Sequence, residues 1–368
     1  MEKAKISPGQ LFTLIVLFDM GTAIIRVLAI KAEKDAWLAI LLGSVGGLVI
    51  FFVYTSLYRL YPRLPLTGYM RVILGKWLGW PLGLLYILFF IHGAARDVRE
   101  GGDLLISSVL DQTPVLVVNV VMILSIGYVL NKGIEVLART AQVFLVILAI
   151  LALVSNFLMF FSGIIEIDRL LPVLGNGLGP VLKITFKQTI EFPYEELICF
   201  TMLLPYLNQS QMGIRAGFAA VLISGLILSY SSAINIAVLG TDISGRATFP
   251  LLYTVSLINI GEFIQRLDVF VVLTLIIGDF FKVAIFFYAG VMAASDVFQI
   301  RDYRKLVHPI GIIILFISMM LSGNFAEQIE EGDVLLVTVF LMFGVGIPIF
   351  LLVVAMVRGK FKSDHDFK

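Results

Sequence analysis

The chain has 368 residues, 59% of them hydrophobic and 14% charged, with a mean hydropathy of +0.99 and a net charge of +1. Such values lie far outside those of soluble domains and identify an integral membrane protein, while the dispersed Lys and Arg residues argue against nucleic-acid binding. A single cysteine, Cys199, rules out an internal disulfide, and its apolar setting reads as packing rather than thiol chemistry.

Crossing roughly 30 Å of hydrocarbon takes about 20 apolar residues. Ten such runs are expected, near 10–30, 36–58, 79–109, 115–131, 136–160, 185–207, 212–239, 266–297, 307–322 and 334–357. No small-residue cleavage site ends the first, so it reads as an uncleaved span. Its centre carries Asp19, Gly21 and Thr22. Asp19 either receives a ligand's ammonium or caps the second half of the broken helix. Gly21 and Thr22 supply the permissive backbone, and half-helix N-termini offer N–H donors to an anion.

After the second span, 61–80 mixes Pro62, Pro65, Gly68, Gly75 and Gly79 with Arg71, Lys76 and Trp77, which places it along the inner interface. The third span holds Arg96, Asp97, Arg99, Glu100 and Asp103 in its second half. These read as an outer ion-pair network or, with Arg99 foremost, as functional charges. His92 reads as core, the alternative being a proton relay. A connector rich in Pro and Gly, 161–180, leads into the sixth span.

The sixth run is also interrupted, by Phe192, Pro193, Tyr194, Glu195 and Glu196, with Glu191 alongside. Pro193 removes a donor and obstructs the preceding turn, and carboxylates around such a kink need partners or water. Polar 240–265 is too charged to cross, but 249–260 is apolar enough for an external lid. The eighth span carries Asp279 and Lys282, three residues apart on one face. They either neutralise each other or leave Lys282 facing the breaks, where its cation stands in for a coupling metal ion or meets Asp19 or Glu196.

Breaks free backbone groups that lipid cannot satisfy, so each must line a protein-enclosed cavity. Matched breaks in two halves mark a small-molecule site near the midplane. Because each half holds five spans, the second half starts from the opposite side. The expected fold is therefore all-α, with ten transmembrane helices in a LeuT-like 5+5 inverted repeat, broken at helices 1 and 6. It forms one domain over 1–368, with repeat one at 7–160, connector 161–180, and repeat two at 181–322 plus the final helix 334–357. With the N-terminus inside, one face carries 16 Lys and Arg and the other seven, which puts both termini on the cytoplasmic side. The acidic loop 324–333 is then external. His92, His308 and His365 are scattered and no phosphate loop occurs, so no catalytic activity, cofactor or metal is expected.

The run from Leu170 to Pro180, Leu-Leu-Pro-Val-Leu-Gly-Asn-Gly-Leu-Gly-Pro, is similar to the signature of the B subunits of spore germinant receptors. A third span ending in Arg99 and closing with Thr113 and Pro114 resembles the same family. So do the core Phe192, Pro193, Tyr194, Glu196 and the start of span eight at Arg266. The resemblance implies membership of the amino acid, polyamine and organocation transporter superfamily. It further implies a nutrient germinant, commonly an amino acid, a location in the spore inner membrane, and A and C subunits as partners. Carried over by position, the pocket comprises Gly21, Thr22, Gly93, Phe192, Tyr194, Glu196, Lys282 and Phe286, with Asp19, Arg99, Glu195 and Asp279 as ion-pair or gating candidates. The chain departs from the family at Ala23 and Glu195, where a glycine is usual, at Gln265, where a glutamate is, and at Lys282, a position often small or polar. Three functions compete: a ligand-sensing receptor subunit, a proton-coupled amino acid transporter, and an assembly subunit that binds nothing.

Overall fold

A computed structural model describes residues 5–24, 28–259, 268–321 and 336–365. Its helices are α1 (Pro8–Met20), α2 (Ala36–Leu60), α3 (Leu66–Leu74), α4 (Lys76–Ser108), α5 (Val115–Lys132), α6 (Ile134–Phe161), α7 (Leu178–Ile184), α8 (Ser210–Arg246), α9 (Pro250–Ser256), α10 (Asp268–Val297), α11 (Arg304–Met320) and α12 (Ile347–His365). No extended strand forms among the described residues. Among the described residues, seven helical stretches are long and apolar enough to cross a membrane. The other three expected crossings are the two broken spans and α11, which at 17 residues falls just short.

Local chemistry explains where the first span starts and stops. Ser7 Oγ accepts from the Gln10 N–H at 3.2 Å while Gln10 Oε1 accepts from the Ser7 N–H at 2.8 Å. This reciprocal cap precedes Pro8, whose missing N–H costs nothing in the first turn. The helix ends at Met20, and residues 21–24 follow as turns. Thirteen residues rise about 20 Å, two-thirds of the hydrocarbon. Among the described residues, the next helical element beyond the turns is a 3-10 stretch, Ile30–Asp35.

The centre of the bundle is the contact of α4 with α10, and small residues make it possible. A Cβ on Gly93 would come 2.5 Å from the Phe286 ring, and one on Gly101 would reach the Asp279 carboxylate. Small residues let helix backbones approach where lipid supplies no hydrophobic drive between helices. Helix α3 docks on this pair, burying Leu66, Tyr69, Met70 and Ile73 and holding Asp296 of α10 through Arg71 at 2.7 Å. Trp77, at the first turn of α4, stays 94% exposed, as a headgroup anchor does.

Helix α8 runs past the expected end at 239 through a kink at Gly240, whose φ of +76° suits only glycine, and the short α9 lies within the lid expected at 249–260. The expected external loop 324–333, Gln265 and Arg266 at the start of span eight, and the first residues of the last span lie outside the described residues.

Candidate functional site

Lys282 is fully buried in α10, and its ammonium joins four elements. Nζ lies 2.6 Å from Glu196 Oε2 and 3.8 Å from Asp97 Oδ1, and it donates to Thr22 Oγ1 at 2.7 Å. It also sits over the rings of Phe192, at 4.7 Å, and Phe18, at 5.7 Å. A charge at this depth persists only with such partners. Arg96 approaches from α4, 3.8 Å from Glu196 Oε1, and stands over the Phe340 ring. The lysine stem is wedged against the first break: a Cβ on Gly21 would come 2.9 Å from Lys282 Cδ, and one on Gly278 would come 3.1 Å from Gly21 Cα. Of the two readings of Lys282, the geometry shows the one in which it faces the breaks and meets Glu196. The mutual pairing with Asp279 does not occur, and both Asp279 oxygens are buried without a hydrogen-bond partner.

The sixth span unwinds over a longer stretch. After α7 come a π turn, Thr185–Thr189, turns through Pro193, and a 3-10 helix, Tyr194–Met202. Its irregular backbone is covered by glycines from two neighbours. A Cβ would fall 2.4 Å from the Thr189 carbonyl oxygen if placed on Gly43, 2.6 Å from Ile190 on Gly46, 2.4 Å from the Tyr194 ring on Gly47, and 2.9 Å from the Tyr194 hydroxyl on Gly225. Thr189 Oγ1 donates to the Ala39 carbonyl at 2.7 Å. The Tyr54 hydroxyl reaches two carbonyls, of Gly344 at 2.5 Å and of Glu195 at 3.1 Å.

The two broken spans are tied together at both ends. Where the first span begins, the Ile6 N–H donates to the Tyr206 carbonyl at 2.9 Å and the Asn208 N–H to the Ile6 carbonyl at 3.1 Å. Beyond the first break, the Ala29 N–H donates to Gln188 Oε1 at 3.2 Å. The glycine-rich signature segment docks nearby, the Leu174 N–H donating to Asp35 at 2.9 Å.

Other expected residues fall elsewhere. Asp19 does not cap a half-helix among the described residues; its Oδ2 accepts from Ser224 of α8 at 2.6 Å, and its Oδ1 has no hydrogen-bond partner. The charges of span three do not form one outer network: Arg99 pairs with Asp103 at 2.9 Å, while Arg96 and Asp97 turn to the centre. Glu195 is buried with both oxygens without a hydrogen-bond partner, its backbone pressed by Gly344. His92 packs near Phe340, in keeping with a core position. Phe286 packs on Phe18, ring centroids 5.4 Å apart. A largely apolar cavity of about 280 Å³ lies beside the centre rather than in it, walled by Met20 and Ile24 of the first break, Tyr230 of α8, Leu251 of α9 and Phe270 of α10.

Sequence reasoning passed over Ser224, Tyr54 and the glycines of α2. Gly43, Gly46 and Gly47 did carry a signal, since their spacing of three and four residues sets them on one helical face.

A membrane bundle whose two broken spans meet at a buried charged centre defines the transporter-like class of fold. The same fold is found in a nucleobase-cation-symport-1 family transporter solved in a closed conformation with bromovinylhydantoin bound. That structure matches with a TM-score of 0.60 and 11% identity, over 91% of this chain and 76% of the transporter. The family described as Spore germination protein matches residues 5–326, and the chain belongs to it. It is 40% identical to Spore germination protein KB of Bacillus subtilis (strain 168), over 98% of this chain and 97% of the relative. Spore germination protein YndE of the same organism is 26% identical over 96% of the chain and 97% of the relative.

Proposed function

We propose that the chain is the nutrient-sensing membrane subunit of a spore germinant receptor, binding a small nutrient between the two breaks and passing the change to A and C subunits. The observation that carries this reading is the Lys282 junction, in which one ammonium holds Thr22 of the first break and Glu196 of the sixth. A ligand contacting either break differently in two arrangements of the bundle shifts their populations by its differential affinity. The proposed pocket is Gly21, Thr22, Gly93, Phe192, Tyr194, Glu196, Lys282 and Phe286, with Asp19, Arg99, Glu195 and Asp279 as the ion-pair or gating set. Both termini face the spore core, and the bilayer is the spore inner membrane.

Gly21→Leu tests the reading, because any side chain there collides with the Lys282 stem. Spores carrying it lose their nutrient response at normal protein level, measured by germination assay and immunoblot. An unchanged response sinks the site. Transport is the second reading, favoured by the likeness to a symporter fold. Uptake of labelled nutrient into proteoliposomes separates the two.

A further inference from the structure

Resting on the reading that the breaks form the ligand site, we infer that Lys282 is a specificity-determining residue: its ammonium fills, from within the chain, the subsite in which a ligand's amine would sit, so the ligand taken between the breaks carries no amine.

The surroundings of Nζ are those that recognise an ammonium: a carboxylate at 2.6 Å, a hydroxyl of the first break at 2.7 Å, a second carboxylate at 3.8 Å and two aromatic faces at 4.7 and 5.7 Å. Aromatic faces with charged acceptors are the usual recognition chemistry for amines. An ammonium has three donors. Here one is directed to Thr22, and the Glu196 and Asp97 carboxylates lie against the ammonium as counter-ions. The occupant is covalently held, since its stem is wedged against Gly21, itself packed on Gly278. A second ammonium beside it would meet like charge in a buried, weakly screened place, with the Arg96 guanidinium adding to the repulsion from beside Glu196. What the site still offers is buried oxygen without a hydrogen-bond partner, Asp19 Oδ1, Asp97 Oδ2 and the Tyr194 hydroxyl, which uncharged donors satisfy without that repulsion.

Chemical rescue tests this. In detergent-purified full-length protein, thermal unfolding is followed for wild type and Lys282→Ala with and without n-propylammonium, which replaces the missing three-carbon amine. The expected result is a lower Tm for Lys282→Ala that propylammonium largely restores, with no effect of n-propanol and no shift in wild type. A comparable shift by propylammonium in wild type, or none in a folded variant, overturns the inference.

Wild type is also screened with pairs differing only in the amine, L-alanine against L-lactate and ethanolamine against ethylene glycol; this arm decides if Lys282→Ala does not fold. Stabilisation by an amine-bearing member but not its counterpart overturns the inference. If no pair shifts wild type, the nutrient-binding reading loses support, and the propylammonium experiment still decides the role of Lys282. If that variant is also unfolded, Lys282→Arg replaces it: a wild-type Tm with retained exclusion of amines supports the subsite, and amine binding by it overturns it.

Discussion

The first break is held by polar and charged side chains, whereas the sixth is packed under the glycines of its neighbours. At the first, Gly21 opens a run of turns, 21–24, and polar fixing comes from Ser224 on Asp19 and Lys282 on Thr22. At the sixth, a π turn, turns and a 3-10 helix run from Thr185 to Met202 under Gly43, Gly46, Gly47 and Gly225. Freed backbone groups in a membrane must be met by protein or enclosed water. One break is met by a few polar side chains, while the other needs neighbours small enough to lie against it. The side-chain solution is sensitive to charge, the backbone solution to volume.

Removing the charge that spans both breaks has the largest expected effect. Lys282→Met takes the buried ammonium from Glu196 and Asp97, leaving Glu196 with Arg96 at 3.8 Å, and costs about 3–5 kcal/mol, as breaking buried pairs does. Adding Glu196→Gln recovers part of it. Thermal unfolding of the single and double variants in one detergent measures both. A loss under about 1 kcal/mol in the single variant would remove Lys282 as the joint between the breaks.

Volume comes next. Gly47→Ala places a methyl 2.4 Å from the Tyr194 ring and costs about 1–3 kcal/mol by overpacking. Gly9→Ala on α1, whose nearest contact would be 3.8 Å away, leaves stability unchanged or raises it by up to about 1 kcal/mol. Equal effects in denaturant titrations would mean that the sixth break yields as easily as an open surface.

Single hydrogen bonds come last and sharpen the contrast. Ser224→Ala removes a donor to a carboxylate and costs about 1.5–3 kcal/mol, and Tyr54→Phe, which removes a donor to neutral carbonyls, about 1 kcal/mol. The order reverses if the first break is not the charge-dependent one, and paired unfolding curves show which holds.

The interruptions were legible because Gly, Pro and carboxylates inside apolar runs have few other uses. Gly21, Thr22, Phe192 and Glu196 lie against Lys282, while Tyr194 packs under Gly47 and Gly225. Lys282 was legible as a buried charge but not by its partner. Three-residue spacing sets Asp279 on the same face, yet a face is shared with several neighbouring helices, and the packing of α10 against Gly21 and Gly93 turned the ammonium to Glu196. The same limit applies to the charges of span three, where the expected ion pairing holds for Arg99 with Asp103 but not for one network. Asp97 and Arg99 are two residues apart and point differently on a helix, so one reaches the centre and the other pairs with Asp103.

The sequence by itself determined that the chain is a helical membrane protein with two interrupted spans, since hydropathy and backbone chemistry are local properties that lipid enforces on each segment. Only the tertiary structure decided that Lys282 bridges the breaks, that α2 lends its glycines to the sixth, and that Ile6 and Gln188 clip the two spans together. Those contacts join residues as far as 260 positions apart, and which distant groups meet is set by the close packing of whole helices.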